Sequence, residues 1–441
     1  MLSNISAVTL RTNVLPKTVH QCLRYASQDR SYKLVVVGAG TAGSSIASTF
    51  SRSLDKGSVA VIEKNKEHYY QPLWTLVGGG LKKLSDSRRT MASVIPRNSE
   101  WINDSVVGFN PDKNFVTLKD GSKVHYEYLV LALGLQLNFH LVKGLIEGLK
   151  SDPRICSNYS IRTVGKTFPA LQAFEGGNAI FTVPATPIKC GGAPQKIMYL
   201  AEEYFNKTGK RDKANVLFNT SLGVMFVVKH YSEKLYVIAK DRGIHVNFKH
   251  SLIEVRPETG EAIFKKLDSE SGETATFKYD FLHVTPPMSA PDVISKSVLS
   301  DAAGFLNVNK ETLQHVKYDN IFGVGDCTNI PTSKTAAAAA GQCGVLSKNL
   351  MAKMKGSNDF KSKYNGYTSC PLVTSSSKCI LAEFDFTNTP TETFPFDQSK
   401  ERRSMFLLKS YGLPPMYWLM MTKGLWHGPG AFRKIFNFWR S

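Results

Sequence analysis

Two of the seven cysteines lie in sequence contexts that favour sulfur chemistry. Cys190 follows Lys189 in a loop rich in Pro and Gly, just before a predicted helix. A lysine and a helix N-terminus both lower the pKa of a thiol, which predicts that Cys190 is a nucleophilic thiolate. Cys370 lies in a second predicted loop, and only the fold can bring it to Cys190. For each cysteine taken alone, a buried and unreactive thiol is the alternative.

The remaining cysteines are sparse and form no C-x-x-C pair, which argues against a disulfide scaffold and against a metal site. We therefore predict no bound metal. Cys379 is the main rival of Cys370 and follows a Ser-rich stretch. No catalytic role is assigned to Cys156, Cys327 or Cys343.

A Gly-rich turn follows the first predicted strand and precedes a helix. Residues 38–43 read Gly-Ala-Gly-Thr-Ala-Gly, the G-x-G-x-x-G pattern of a dinucleotide site. Its glycines permit the tight turn, the approach of a pyrophosphate and close helix–strand packing. Glu63 ends the next strand, twenty residues after Gly43, where it can bind a ribose hydroxyl. An aromatic loop is predicted at residues 68–74, directly after this unit. The candidate cofactor ligands of the unit and the loop are Gly38, Gly40, Thr41, Ala42, Gly43, Glu63, Lys64, Gln71 and Pro72.

Two later segments are predicted to complete this site. Residues 128–134 form a buried strand that ends in glycine, and residues 320–326 form a strand that ends in Gly-Asp. Asp326 can accept hydrogen bonds from the ribityl chain of a flavin, with a helix N-cap as the alternative. Lys334 and Thr335 precede five alanines, whose small side chains let a helix start pack against a ring system. The positive end of that helix favours an anionic reduced flavin.

The middle of the chain is predicted to be a second Rossmann-like layer. Buried strand runs occur at residues 178–183, 215–219 and 281–285. The turn at residues 219–223 has one glycine where a nicotinamide-binding turn needs three. We therefore predict no second dinucleotide in this layer.

Charge and hydropathy point to a mitochondrial protein at a membrane surface. Residues 1–28 contain Arg, Lys, Ser and Thr but no acid, which is typical of a mitochondrial transit peptide; a disordered basic tail is the alternative. The formal charge of +19 indicates an anionic partner. No apolar run is long enough to span a bilayer.

The C-terminal tail is basic and aromatic. Residues 400–441 carry eight Lys or Arg against one Glu. Within residues 432–439, Phe432, Ile435, Phe436 and Trp439 share one helical face opposite the basic residues. This pattern predicts an amphipathic helix at an anionic membrane, with a helix docked on its own domain as the alternative. No nucleic-acid-binding motif is visible, so nucleic acid is not an expected partner.

The motifs together resemble those of the sulfide:quinone oxidoreductases, over essentially the whole chain after residue 28. The segments that carry the resemblance are VVVGAGTAG, YYQPLWTLVGGG, TPIKCGGAPQKIMYLAE, HVTPPMSAPD, FGVGDCTNIPTSKTAAA, GYTSCPLV and ETFPFDQSKERRSM.

The resemblance implies a flavoprotein disulfide reductase fold, non-covalent FAD and a redox-active pair formed by Cys190 and Cys370. In that family hydrogen sulfide adds to the cysteine bridge, a persulfide forms on the residue matching Cys370, and Cys190 passes two electrons to the flavin. The sulfur leaves to a small acceptor such as glutathione or sulfite, and ubiquinone takes the electrons. Glu147 is a candidate general acid or base, with a solvated surface carboxylate as the alternative. Phe384, Phe394, Tyr411 and Met416 are candidate quinone contacts.

The predicted fold class is α/β, with two Rossmann-like domains and a C-terminal amphipathic membrane-binding region. The predicted segments are a transit peptide (1–28), a discontinuous FAD-binding domain (29–150 and 306–365), a second Rossmann-like domain (151–305) and a C-terminal cysteine, quinone and membrane region (366–441). We expect a location on the matrix side of the inner mitochondrial membrane. The alternatives are a type II NADH:quinone oxidoreductase and an interaction protein in which FAD is structural.

Overall fold

The computed structural model describes residues 29–430 together with residues 432, 433 and 435; the predicted transit peptide, 1–28, lies outside them. The strands are β1 (Arg30–Val37), β2 (Val59–Ile62), β3 (Glu67–Tyr69), β4 (Arg88–Thr90), β5 (Glu100–Ile102), β6 (Val106–Asn110), β7 (Phe115–Leu118), β8 (Lys123–Leu131), β9 (Gln136–Leu137), β10 (Ile155–Cys156), β11 (Gly177–Val183), β12 (Ala214–Thr220), β13 (His245–Asn247), β14 (His250–Arg256), β15 (Glu261–Lys266), β16 (Thr274–Lys278), β17 (Phe281–His283), β18 (Met288–Ser289), β19 (Ile321–Gly323), β20 (Thr368–Val373) and β21 (Cys379–Phe384). The α-helices are α1 (Thr41–Ser53), α2 (Trp74–Gly78), α3 (Met91–Val94), α4 (Leu145–Ser151), α5 (Val164–Ala173), α6 (Ala193–Lys207), α7 (Lys229–Asp241), α8 (Asp292–Ser295), α9 (Ala336–Met354), α10 (Arg403–Leu407) and α11 (Leu413–Met416).

The first sheet has the strand order β5-β2-β1-β8-β7-β6, and β19 also pairs with β8. Strands β5, β2, β1, β8 and β19 run parallel, while β7 and β6 form an antiparallel extension. The Val-rich end of β1 is buried, as expected for a parallel strand that is covered on both faces. Helices α1 and α9 pack against each other beside this sheet. The predicted α/β class and the return of the chain through residues 320–326 are confirmed.

The second sheet is parallel, in the order β10-β17-β11-β12-β13. Its central strand, β11, leads into loop 184–192 and then into α6. Ligands of open parallel sheets bind at the carboxyl ends of the strands, so this loop lies at the edge where chemistry is expected. Strands β14, β15 and β16 add a separate antiparallel sheet.

The hairpin formed by β20 and β21 lies between two hydrophobic cores. Val373, Cys379 and Leu381 pack into the core of the first sheet. Cys370 and Ile380 pack into the core of the second sheet. Because successive side chains of a strand point to opposite faces, the hairpin joins both cores and turns Cys370 towards the second sheet.

The C-terminal segment consists of α10, α11 and two π-helical turns at Leu408–Gly412 and Tyr417–Met421. Ile294 and Leu299 also pack in the core of the first sheet, ahead of the predicted return at residue 306. The predicted domain boundaries stay a prediction. Across the described ranges, no helix has both the length and the apolar character needed to cross a bilayer.

Candidate active site

The two predicted redox cysteines lie side by side. Their sulfur atoms are 3.2 Å apart. The backbone N–H of Cys190 donates to the carbonyl of Lys334 at 2.8 Å, which pins loop 184–192 to the start of α9. Cys190 has a φ of +48°, a conformation that a side chain adopts only when surrounding contacts hold it. A Cβ on Gly192 would lie 2.9 Å from the Cys370 sulfur, so the approach of the two cysteines requires glycine there.

The prediction that Cys370 lies in a loop is wrong. Cys370 is in the middle of β20, opposite Ala382 of β21, and its side chain is buried. The neighbouring Pro371 obscured the strand, because proline lacks the N–H that a ladder needs. A two-stranded hairpin tolerates it, since one edge of β20 has no partner strand.

A buried ammonium group contacts the first cysteine. Lys196 lies in the first turn of α6, and its Nζ is 3.3 Å from the Cys190 sulfur. The hydrogen bond with Cys370, together with the Lys196 charge, lowers the pKa of Cys190 well below its usual range. The same bond, with burial, raises the pKa of Cys370. Cys190 is therefore the thiolate of the pair and Cys370 the thiol.

The predicted thiolate partner, Lys189, is elsewhere. Its Nζ donates to Oε1 of Gln71 at 2.8 Å, and burial lowers its pKa to about 8. The sequence reasoning chose the adjacent lysine, but consecutive residues of a loop point in different directions. Lys196 was identifiable, since the first turn of a helix faces the loop that precedes it.

A second lysine was missed altogether. Lys409, in the first C-terminal π-helical turn, is almost fully buried, and its Nζ donates to the carbonyl of Pro72 at 2.6 Å. Burial, together with the charge of Lys196, lowers its pKa to about 8, and the two cysteines oppose that shift. Lys409 is therefore an additional cation beside the cysteine pair, brought there by a distant segment of the chain.

The Gly-rich turn has the geometry expected of a pyrophosphate site. Gly38 has a φ of +91°, and a Cβ there would lie 2.7 Å from the Ala132 carbonyl oxygen. A Cβ on Gly43 would lie 1.8 Å from the Gly38 carbonyl oxygen, so helix and strand can pack only without it. A Cβ on Gly40 would meet nothing within 4 Å, which leaves open space at the start of α1. These residues fit a dinucleotide phosphate at a helix N-terminus.

The other predicted cofactor ligands surround the same cleft. Thr41 and Ala42 form the first turn of α1. Glu63 directly follows β2, and its carboxylate accepts from the N–H of Ala39 at 3.0 Å, next to the turn. Lys64 is exposed beside it. These positions fit a ribose next to the pyrophosphate.

Asp326, Lys334 and Thr335 lie at the start of α9. Burial raises the pKa of Asp326, while Lys334 and Lys189 oppose the rise. The Nζ of Lys334 donates to the Thr328 carbonyl at 2.6 Å. Thr335 caps α9 by accepting from the N–H of Ala338 at 3.0 Å. The N-cap of this helix is thus Thr335 and not Asp326, whose role as a cofactor ligand stays a prediction.

The other four cysteines of the described residues are fully buried. Burial raises the pKa of Cys156, Cys343 and Cys379 to about 12, and that of Cys327 to about 11. Cys379 is on β21 and pairs with Val373, so it faces away from Cys190. The structure thus pairs Cys190 with Cys370 and not with the rival cysteine.

Glu147 is an exposed residue in the first turn of α4. No contact of the described residues joins its carboxylate to the cysteine pair, and its role as a general acid or base stays a prediction. Among the candidate quinone contacts, Phe384 is fully buried in the second core, and Tyr411 is 63% exposed.

Ligand atoms of His230, Glu392 and Asp397 lie within 4.8 Å of one another, without an ion. Their carboxylates accept hydrogen bonds from Tyr231, Gln398 and Ser399. That network is ordinary for a surface, and the prediction that no metal is bound stays a prediction.

Only part of the predicted C-terminal amphipathic helix lies within the described residues. Arg433 pairs with the buried Glu383 at 3.6 Å, and its guanidinium lies 4.6 Å from the Tyr367 ring centre. Phe432 and Ile435 are 47% and 54% exposed. Arg433 therefore docks on the protein, while the side chains of Phe432 and Ile435 are about half exposed.

Comparisons with known proteins agree with this geometry. Residues 32–166 match the family model of pyridine nucleotide-disulphide oxidoreductases. The chain is 54% identical over 406 residues to the mitochondrial sulfide:quinone oxidoreductase of Mus musculus, which covers 92% of this chain and 90% of that protein. The chain belongs to the mitochondrial sulfide:quinone oxidoreductase family. This membership confirms the predicted enzyme class, an FAD-dependent oxidoreductase.

Two further sulfide:quinone oxidoreductases extend the likeness. The mitochondrial protein of Dictyostelium discoideum is 46% identical over 440 residues, covering 98% of this chain and 95% of its own length. The crystal structure of the sulfide:quinone oxidoreductase from Aquifex aeolicus superposes with a TM-score of 0.75 at 20% identity, over 93% of this chain and 95% of that one. The structural match establishes that the two proteins share a fold.

Proposed function

We propose that the protein oxidises hydrogen sulfide and passes two electrons through FAD to ubiquinone. The observation that carries the proposal is the Cys190–Cys370 pair, with sulfur atoms 3.2 Å apart and the Lys196 ammonium at 3.3 Å from Cys190. A close pair of cysteines with one stabilised thiolate is what sulfur exchange requires. The relatives that cover most of the chain are named sulfide:quinone oxidoreductases.

The asymmetry of the pair sets the direction of attack. In the resting enzyme the two cysteines form a disulfide, and HS⁻ attacks the sulfur of Cys370. A bond forms between the incoming sulfur and Cys370, the Cys190–Cys370 bond breaks, and Cys190 leaves as a thiolate. The thiol of lower pKa leaves faster, and that thiol is Cys190.

The two buried lysines hold the negative charge that this step creates. Lys196 contacts the Cys190 sulfur directly. Burial lowers the pKa of Lys196, but the negative charge of Cys190 outweighs burial and raises it. Lys409 adds a second positive charge from the C-terminal segment.

A small nucleophile then removes the outer sulfur of the Cys370 persulfide. The thiolate of glutathione, or sulfite, bonds to the outer sulfur and leaves Cys370 as a thiolate, so atoms and charge balance. Bound without a covalent link, FAD supplies the two-electron acceptor that returns the pair to the disulfide and that ubiquinone re-oxidises.

Exposed apolar side chains of the C-terminal segment support membrane attachment, which we propose to be on the matrix side of the inner mitochondrial membrane. Leu407, Tyr411 and Leu419 are 46%, 63% and 69% exposed. The Nζ of Lys82, a half-buried residue, lies 3.7 Å from the Tyr411 ring centre, so a cation accompanies the apolar side chains. Apolar side chains with neighbouring cations are typical of a surface that binds anionic lipid.

The test is an anaerobic absorbance titration of the FAD-loaded protein with sulfide and, separately, with NADH. We expect sulfide to bleach the oxidised flavin band, and a short-chain quinone to restore it. Bleaching by NADH alone would instead identify a type II NADH:quinone oxidoreductase. No response to either reductant would leave FAD as a structural group. Cys190→Ser should abolish the sulfide response while FAD stays bound.

A further inference from the structure

A chain of three hydrogen bonds joins the Gly-rich turn to the C-terminal segment. His68 lies in the middle of β3, where the sequence predicts a loop, and is almost fully buried. Its Nδ1 is 2.9 Å from the carbonyl oxygen of Ala39, inside the turn. Its Nε2 is 2.5 Å from the hydroxyl of Tyr417, which is 3.1 Å from the hydroxyl of Thr41. The series of hydrogen bonds thus contacts the turn at two residues, Ala39 and Thr41.

The donor and acceptor roles in this chain have a single solution. A carbonyl oxygen can only accept, so Nδ1 of His68 must donate to Ala39. Burial lowers the pKa of His68 to about 4, so the ring is neutral at pH 7 and its Nε2 must accept. The Tyr417 hydroxyl therefore donates to His68, and the Thr41 hydroxyl donates to Tyr417. His68 and Tyr417 each donate one hydrogen bond and accept one, Thr41 only donates, and Ala39 only accepts.

The rest of the segment packs on the helix that the turn begins. The Ser48 hydroxyl donates to the Thr422 carbonyl at 2.9 Å. Arg52 donates to the Lys423 carbonyl at 2.7 Å. A Cβ on Gly424 would lie 2.3 Å from the Thr49 hydroxyl, so chain and helix are in close contact. Residues 417–424 therefore cover the start and the body of α1.

We infer that His68 and Tyr417 are positioning residues for the FAD-binding turn, and that FAD binding and docking of residues 403–427 strengthen each other. The inference rests on the FAD site of the proposed function. A turn held at both Ala39 and Thr41 has less freedom to lose when the pyrophosphate binds. Because Leu407, Tyr411 and Leu419 are exposed on the same segment, FAD also favours the conformation that presents the membrane surface.

The test compares two tyrosines of that segment. Tyr417→Phe removes the central hydroxyl and keeps the ring, which packs against Tyr70 with ring centres 4.4 Å apart. Tyr411→Phe is the matched control, since Tyr411 is 63% exposed. FAD is removed, and the Kd for FAD is measured by flavin fluorescence. We expect Tyr417→Phe to raise the Kd about fivefold, the usual effect of one hydrogen bond, and the control to stay within about twofold.

Coupling between two sites is reciprocal. Hydrogen exchange of peptides from residues 403–427, measured with and without FAD, should show protection by FAD in the wild type. In Tyr417→Phe that protection should shrink by the same factor by which the Kd rises. A purely structural tyrosine would lower the thermal stability of the apoprotein and leave both the Kd and the protection unchanged, which would overturn the inference.

Neither readout uses sulfide, so the inference and the proposed sulfide chemistry fail separately. A wild-type protein that binds FAD but is not reduced by sulfide would contradict the proposed function alone. If Tyr417→Phe does not yield folded protein, His68→Asn is tested in the same way, because His68 makes two of the three hydrogen bonds. An unchanged Kd in a folded His68→Asn variant would also overturn the inference.

Discussion

The ammonium group of Lys196 is buried and lies 3.3 Å from the sulfur of the half-buried Cys190. The two residues stand on either side of the N-terminus of α6, with the loop turning at Gly192 between them. A buried cation and a thiolate each lack water and therefore depend on each other. Apart from the hydrogen bond with Cys370, the reactivity of Cys190 should thus depend chiefly on Lys196.

Replacing Lys196 with Met should raise the pKa of the Cys190 thiol. In protein with the cysteine pair reduced, we expect the alkylation rate of Cys190 by iodoacetamide at pH 7 to fall about tenfold or more, since one pKa unit is a tenfold change in thiolate. The measurement is the pH profile of alkylation, read by mass spectrometry of the Cys190 peptide. Lys207→Met is the control, because Lys207 is exposed on the same helix and pairs with Glu203. An unshifted midpoint in Lys196→Met would contradict the assignment.

Cys370 and Cys379 should differ sharply when each is replaced by Ala. Cys370→Ala removes the sulfur 3.2 Å from Cys190, and sulfide should no longer bleach the flavin. Cys379→Ala changes a buried residue on the facing strand, and bleaching should persist with a modest loss of stability. Loss of the sulfide reaction in both variants, with both folded, would argue against the pair as assigned.

Alanine substitutions at Gly43 and Gly40 should have different effects, on folding stability and on FAD affinity respectively. Gly43→Ala places a methyl group 1.8 Å from the Gly38 carbonyl oxygen, so the protein should be strongly destabilised even without FAD. Gly40→Ala meets nothing within 4 Å, so the apoprotein should keep its melting temperature. FAD affinity should nevertheless fall, because the methyl group occupies the approach to the pyrophosphate. Unchanged FAD affinity in Gly40→Ala would place the pyrophosphate elsewhere.

His68 should make the protein less stable in mild acid. Its pKa is about 4 in the folded state against 6.5 ordinarily, because burial disfavours the charged ring. Between these values the unfolded chain binds a proton that the folded state refuses, so the free energy of unfolding falls as the pH falls from 6.5 to 4. The expected loss at pH 5 is about 2 kcal/mol relative to pH 7.

Urea unfolding of the wild type and of His68→Gln at pH 7 and pH 5 measures this contribution. The pH-dependent loss should be smaller by that amount in His68→Gln. His140→Gln, at an exposed position, is the matched control. The same pH dependence in all three proteins would show that His68 titrates normally.

Arg433 and Glu383 should contribute to the free energy of unfolding as a pair, so that removing one charge alone destabilises the protein more than removing both. Arg433→Met leaves Glu383 buried beside Tyr367 and Thr393 without its cation, and should cost about 3 kcal/mol of unfolding free energy. The double variant with Glu383→Gln should recover part of that loss, since no charge is then left uncompensated. Urea unfolding of the four proteins gives the coupling. Strictly additive losses would mean that the segment around Arg433 does not dock on β21.

Much of the site could be predicted because it is local in the chain. The turn at Gly38, Gly40 and Gly43 is specified within six residues, because a strand, a tight turn and a helix follow one another there. In the structure, a Cβ at Gly38 or Gly43 would clash with the backbone, and the space at Gly40 is open. The helix start at Thr335 follows from a capping residue ahead of five alanines. The resemblance to a known family added the pairing of Cys190 with Cys370, which residue types alone left open.

The sequence by itself thus determined the α/β class, the dinucleotide turn and the helix after Cys190, and it singled out the two cysteines that we propose carry sulfur chemistry. Only the tertiary structure decided which cations serve that pair, that Cys370 stands on a strand, and that Tyr417 reaches the turn through His68. The reason is physical. Helix periodicity and turn preferences depend on residues that are close in sequence. The cations that stabilise a thiolate can come from distant segments, and only the folded chain brings those segments together.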